Sequence, residues 1–185
     1  MIAAFAGTAF TSSAQFAKGD MFASGSVGYS SLTDNNNDTK QTSFSFSPSV
    51  GYFITNNLSL EGELLFGQET FEEVNLKTIN DNSMGFGIAS RYYFTPANKF
   101  SFFGRLGAAY VTINDKVNKF KTNAFVVGVS PAISYFVSDK FAMQATIGSI
   151  NYSTTSFDVS GSKSVNGLDL NFNLSNIAVG LNYKF

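Results

Sequence analysis

From Met21 onward, bulky apolar residues fall on alternate positions, in runs separated by turn signals. In the stretch from about Thr42 to Phe53, Phe44, Phe46, Pro48, Val50 and Tyr52 alternate with Ser43, Ser45, Ser47, Ser49 and Gly51. A period of two places the two sets on opposite faces of a β-strand. The same pattern predicts strands over about Met21–Leu32, Leu58–Thr70, Ser83–Phe94, Phe100–Ile113 and Thr122–Phe136, then one from Phe141 and a last one over about Gly167–Phe185. That makes eight strands in all. Pro48 and Pro131 fall inside runs, where a missing N–H points to a bulge or kink.

The connections alternate in length. Those around Asn56, Ala97 and Asp139 are short. Those over Thr33–Lys40, Glu72–Asn82, Asn114–Lys121 and Thr154–Asn166 are longer and hold most of the Asp, Asn and Lys. Tight turns at one rim and polar loops at the other describe an antiparallel up-and-down barrel with unlike ends.

Alternation does not say which row faces in; composition does. Charged residues are 14% of the chain, below the roughly 25% of an ordinary soluble domain. The row opposite the bulky residues is mostly Ser, Gly and Ala, where a water-facing row would carry many Lys and Glu. Small residues suit the crowded interior of an eight-stranded barrel, so the Phe, Leu, Ile and Val row faces outward into lipid. Tyr52, Phe94, Phe100, Tyr135, Phe141 and Tyr183 lie beside the short turns, where an interfacial aromatic girdle belongs. A mean hydropathy of +0.04 is what strict alternation averages to. No run approaches the roughly 20 apolar residues of a spanning helix.

The chain ends on the amphipathic run Ile177–Phe185. With Gly180, Tyr183 and the terminal Phe185, it resembles the closing strand of bacterial outer-membrane β-barrels. The barrel as a whole resembles the small eight-stranded barrels of the OmpA-transmembrane and OmpX type. The resemblance implies a location in the bacterial outer membrane, contact with its lipid, and insertion machinery that reads Gly180, Tyr183 and Phe185. It also implies a monomer whose lumen is filled or very narrow.

Four charges break the small inward row: Glu61 and Glu63 on the third strand, Arg91 on the fourth and Arg105 on the fifth. Isolated charges in a narrow lumen are costly, so these are expected to pair, with Gln144 and Lys184 extending the network. The cluster reads as a filler of the lumen or as a gate whose pairs exchange. A continuously small and polar lining is expected elsewhere.

Met1–Ala14 is apolar and rich in small residues, like the end of a secretory leader cleaved after Ala14, which leaves 15–185 as the barrel domain. There is no Cys and no His, which removes thiolate and imidazole ligands and the Ser–His and Cys–His nucleophile pairs. No enzyme, cofactor or metal site is expected. A net charge of −1 gives no reason to expect a nucleic-acid partner. Asp34-Asn35-Asn36-Asn37-Asp38 lacks the Gly and distal Glu of a Ca²⁺ loop and reads as a solvated turn. The expected role is structural, in the envelope, with limited passage of ions or small solutes at most. The alternative is a surface adhesin acting through the longer loops.

Overall fold

Alternation is realised along every stave of the wall. The computed structural model describes residues 16–73, 76–158, 162–172 and 178–185. The expected leader, residues 1–14, residues 74–75 and part of the expected last strand, residues 173–177, lie outside them. The strands are β1 (Met21–Asp34), β2 (Thr39–Phe53), β3 (Leu58–Glu73), β4 (Leu76–Tyr93), β5 (Phe100–Asp115), β6 (Lys121–Phe136), β7 (Phe141–Thr146), β8 (Ser149–Phe157), β9 (Val165–Asn171) and β10 (Ala178–Lys184). β7 and β8 both pair with β6 and form one stave; β9 pairs with β8 and β10 with β7, forming another. All pairings are antiparallel, and β1 pairs with both β2 and β10. The result is a closed eight-stave, up-and-down barrel.

Side-chain exposure identifies the lipid face. Ile88 is 70% exposed and Leu181 58%, whereas Phe53, Tyr93 and Ser59 on the inward row are each 0% exposed. A soluble barrel would reverse that order. The girdle residues Tyr52, Phe94, Phe100, Tyr135 and Phe141 face outward, and Phe141 packs against Tyr183 with centroids 4.9 Å apart.

The two prolines act differently. At Pro131 the register changes from Ala132↔Thr146 to Val129↔Ile150, so two residues of β6 face three of the neighbouring stave. That is a β-bulge; Ile147 N–H donates to the Pro131 carbonyl at 3.1 Å. Gly148 is required there, because a Cβ would press on the Phe172 ring and, at 2.9 Å, on the Asn171 carbonyl. Pro48 leaves the β2–β3 register unchanged: Phe46↔Phe66 and Ser49↔Glu63 flank it, and the ladder is merely interrupted.

The connections expected to be long are shorter than the sequence pattern suggests. β3 runs to Glu73 and β4 starts at Leu76, so most of Glu72–Asn82 is strand. The seventh stave likewise continues to Phe157. Beyond the lipid the outward row meets water and turns polar, as at Gln68, Thr70, Asn80 and Asn82, while Phe71 and Ile79 face inward. The apolar row changes face, and the period-two signal fades at that crossover.

Candidate functional site

The lumen is built in layers. At the short-turn end, Phe22, Phe53, Tyr93, Phe103 and Phe136 point inward from five staves, each no more than 4% exposed. Phe16, 2% exposed, fills the centre of this ring. Its ring stacks on Phe53 at 4.5 Å and meets Phe136 at 4.8 Å and Tyr93 at 5.0 Å. The strap Phe16–Asp20 is sewn to the turns. Phe16 N–H donates to the Pro96 carbonyl at 3.2 Å, Lys18 N–H to Asn56 Oδ1 at 3.0 Å and Gly19 N–H to the Phe53 carbonyl at 2.9 Å. Asp20 Oδ2 accepts the Ala17 N–H at 2.8 Å and an ion pair from Lys184 at 3.3 Å.

This layer corrects the expectation of a small, polar lining throughout. The signal that could have found it is parity: Phe22, Phe53, Tyr93 and Phe136 each fall on the inward row at the short-turn end of a strand. Lys184 is also corrected. It pairs with Asp20 rather than with the interior charges.

Directly above lie the four expected charges, brought together. Arg91 Nη2 is 2.5 Å from Glu61 Oε2, Arg105 Nε 2.8 Å from Glu61 Oε1, and Arg105 Nη2 2.7 Å from Glu63 Oε1. Arg91 and Arg105 are directly opposed on β4 and β5, an arrangement that repels unless an anion lies between them. Glu61, its side chain 1% exposed, is that anion. Gln144 joins as expected: its Oε1 accepts from Arg91 Nη1 at 2.8 Å, and its Nε2 donates to the Tyr93 hydroxyl at 3.2 Å. Ser24 accepts from Arg91 at 3.1 Å, and Ser49 donates to Glu61 at 3.3 Å. The Arg91 guanidinium also sits 5.1 Å from the Phe22 ring centroid and 5.6 Å from that of Phe103, which binds the charged layer to the aromatic one. Two cations and two anions leave the layer neutral, as burial demands.

On the long-hairpin side of the charges is a cavity of about 270 Å³. Ser26, Ser47, Ser130 and Thr146 line its wall, and Arg91, Arg105 and Glu63 form its floor. Higher up, the inward row carries Glu69, Asp81 and Asp115 on adjacent strands, in direct register. This row stands beyond the membrane-spanning segments. Burial, and then the charges of Asp115 and Glu69, push the Asp81 carboxyl above its usual range. Asp34 and Asp115 are held below theirs, chiefly by the N–H groups of Asn36 and Asn118 that cap their turns. Asp34 thus closes the Asp34–Asp38 turn itself, its Oδ1 accepting from Asn36 and its Oδ2 from Asn37, both at 2.8 Å.

A lipid-facing belt around a closed up-and-down barrel, with charges at membrane depth only on the inside among the described residues, defines an integral outer-membrane β-barrel protein. The chain belongs to the outer membrane protein beta-barrel domain family, whose pattern it matches over residues 1–185, and it resides in the bacterial outer membrane. Among solved structures it is similar to the outer membrane protein OprG from Pseudomonas aeruginosa, with 16% identity, 92% of this chain and 98% of that one covered, and a TM-score of 0.55. It is also similar to the N-terminal β-barrel domain of Pseudomonas aeruginosa OprF, with 12% identity, 89% and 97% covered and a TM-score of 0.49. The likeness to OprG speaks for the fold alone. No curated protein matches the sequence.

Proposed function

We propose that the protein is a sealed structural barrel of the outer membrane with an envelope role, and that its lumen does not conduct. The observation that carries this reading is the stacking of two independent closures, the Phe16-centred aromatic layer and the neutral Glu61–Arg91–Arg105–Glu63 layer. An eight-stave barrel is only just wide enough for side chains, and both layers fill the section with groups that satisfy one another. The reading needs no catalytic residue and no cofactor.

The protein works in this reading as a monomer in outer-membrane lipid. Tyr183, seated between Phe141 at 4.9 Å and Phe185 at 5.3 Å, presents an aromatic edge on the outside of β10. Gly180 stands opposite Ser26 on the closing β1–β10 ladder. We assign Gly180, Tyr183 and Phe185 to recognition by the insertion machinery.

Planar-bilayer recording tests the seal. The wild-type protein is expected to carry no resolvable current. Arg91→Ala and Arg105→Ala open none either, because the aromatic layer still closes the short-turn end. A steady current through the wild type refutes the sealed reading, and a current seen only in the arginine variants assigns the charged layer to a gate.

A further inference from the structure

Above the aromatic and charged layers the lumen is not filled. Among the described residues, inward-facing Gln41, Ser45 and Glu69 are exposed, and Leu65, Val111 and Val126 are half-buried. At the short-turn end the inward rings are at most 4% exposed. Ser45 helps to keep the upper lumen open, because its hydroxyl folds over Gly28 on the neighbouring strand instead of toward the axis. Water therefore reaches the cavity above the charges from the long-hairpin side. The barrel is a cup with a charged floor.

That floor has bonds still to make. Glu61 has an arginine on each oxygen and its side chain is 1% exposed, whereas those of Glu63 and Arg105 are 14% and 26% exposed. Glu63 Oε1 takes Arg105 Nη2 at 2.7 Å, which leaves Oε2 without a partner among the described residues. Arg105 places Nε on Glu61 and Nη2 on Glu63. Its Nη1 lies across Gly107, on the cavity side, with no acceptor among the described residues. On the wall, Ser26 and Ser47 stand directly opposite each other, and Ser130 and Thr146 line the same cavity. All four are half-buried, and none of their hydroxyls has a hydrogen-bond partner among the described residues.

A free carboxylate oxygen beside free guanidinium N–H groups matches two neighbouring hydroxyls, one donating to Glu63 Oε2 and the next accepting from Arg105 Nη1. A solute with net charge does not fit. The two cations and two anions already balance, and a further charge would stand unpaired in a narrow lumen. A zwitterion would have to part Arg105 from Glu63 to reach both. The cavity, about 270 Å³, lies below the range of about 300–1,000 Å³ usual for drug-sized ligands, which sets the scale at a single sugar ring.

We propose that this cavity binds a small neutral sugar that enters from the outer surface. Two adjacent sugar hydroxyls bridge Glu63 and Arg105, and the side chains of Ser26, Ser47, Ser130 and Thr146 take the others. Binding needs no passage through the layers beneath.

The test is an NMR titration of the folded, isotope-labelled protein in detergent micelles. The probes are D-glucose and D-ribose, with L-alanine as the zwitterion and acetate as the anion. The Arg105 Nε–H signal is followed together with the backbone amides of Ser47 and Ser130. At least one of the two sugars is expected to shift all three along one saturating curve, and neither L-alanine nor acetate to do so. Glu63→Gln should raise the apparent Kd about 10-fold, and Ser47→Val, which fills the wall opposite Ser26, at least as much. Lys99→Gln, at the short-turn rim, leaves it unchanged. Heat-modifiable migration on a gel shows that each variant is folded. Failure of both sugars to saturate, which leaves water as the occupant, overturns the proposal. So does L-alanine binding as tightly as the sugar, or a Kd indifferent to both cavity variants. The signals report on Arg105 and its neighbours and not on current, so the sealed reading stands or falls separately.

Discussion

Replacing Phe16 by Ala should unseat the strap that closes the short-turn end and leave the barrel standing. The Phe16 ring is 2% exposed and packs on Phe53, Tyr93 and Phe136, all within 5.0 Å between centroids. Removing a buried Phe side chain costs about 3–5 kcal/mol. Here the cost falls on a terminal strap rather than on the wall, because Phe16 belongs to no strand and the ladders on either side do not pass through it. The strap's docking equilibrium therefore shifts toward release by roughly 10² to several 10³. Thiol accessibility reads this out, since the chain has no cysteine of its own. Ser59 is 0% exposed, stands opposite Phe53, and its Oγ has no hydrogen-bond partner among the described residues, so Ser59→Cys removes no bond. A membrane-impermeant maleimide added from the periplasmic side should label Ser59→Cys slowly. The double variant Ser59→Cys/Phe16→Ala should react faster by about the same factor, provided labelling is slower than strap closure. Equal rates in the two proteins would mean that Phe16 does not seal the mouth, and the aromatic-layer argument would fall with it.

Gly51→Ala probes the same layer from the wall. A Cβ at Gly51 would drive into the Phe22 ring, which is 1% exposed and packed against Phe16 and Phe53. Overpacking of this kind costs about 1–3 kcal/mol, seen as a lower urea midpoint for unfolding from lipid vesicles. An unchanged midpoint would show the layer to be loosely filled. At the outer rim, Asp81 has a raised folded pKa, so its folded state holds a proton that the unfolded state releases. The stabilising effect of that proton is complete below the ordinary carboxylate range near 3.8 and is lost as pH rises from there through the folded value. Asp81→Asn should therefore slow hydrogen exchange in the outer halves of β4 and β5 at pH 7 and flatten its pH dependence above pH 4. Faster exchange in the variant at pH 7 would contradict the assigned sign.

The parts of this protein legible in its sequence are those where one physical demand governs a whole strand. Within the membrane the outward row is mostly apolar, so Phe44 to Tyr52 and Met84 to Tyr92 announce their strands and their facing at once. The four interior charges were legible for the same reason: Glu61, Glu63, Arg91 and Arg105 violate a row that is otherwise small, and a narrow lumen forces violators together. What escaped the pattern lies where two demands change places. Above the lipid the outside becomes wet, Phe71 and Ile79 move to the inner row, and strands that continue without a break look like loops. Below it the mouth must close, so Phe22, Phe53, Tyr93 and Phe136 turn inward among residues that otherwise resemble a girdle. Phe16 was invisible on either count, because its position is fixed by no periodicity. It is fixed by the cavity that five inward rings leave at the barrel axis, and by three backbone N–H groups that find acceptors on the turns around it. In the proposed sealed lumen, the short-turn end is set by the change of solvent and the middle by charge neutrality. Only the middle depends on identities that a strand pattern brings into register.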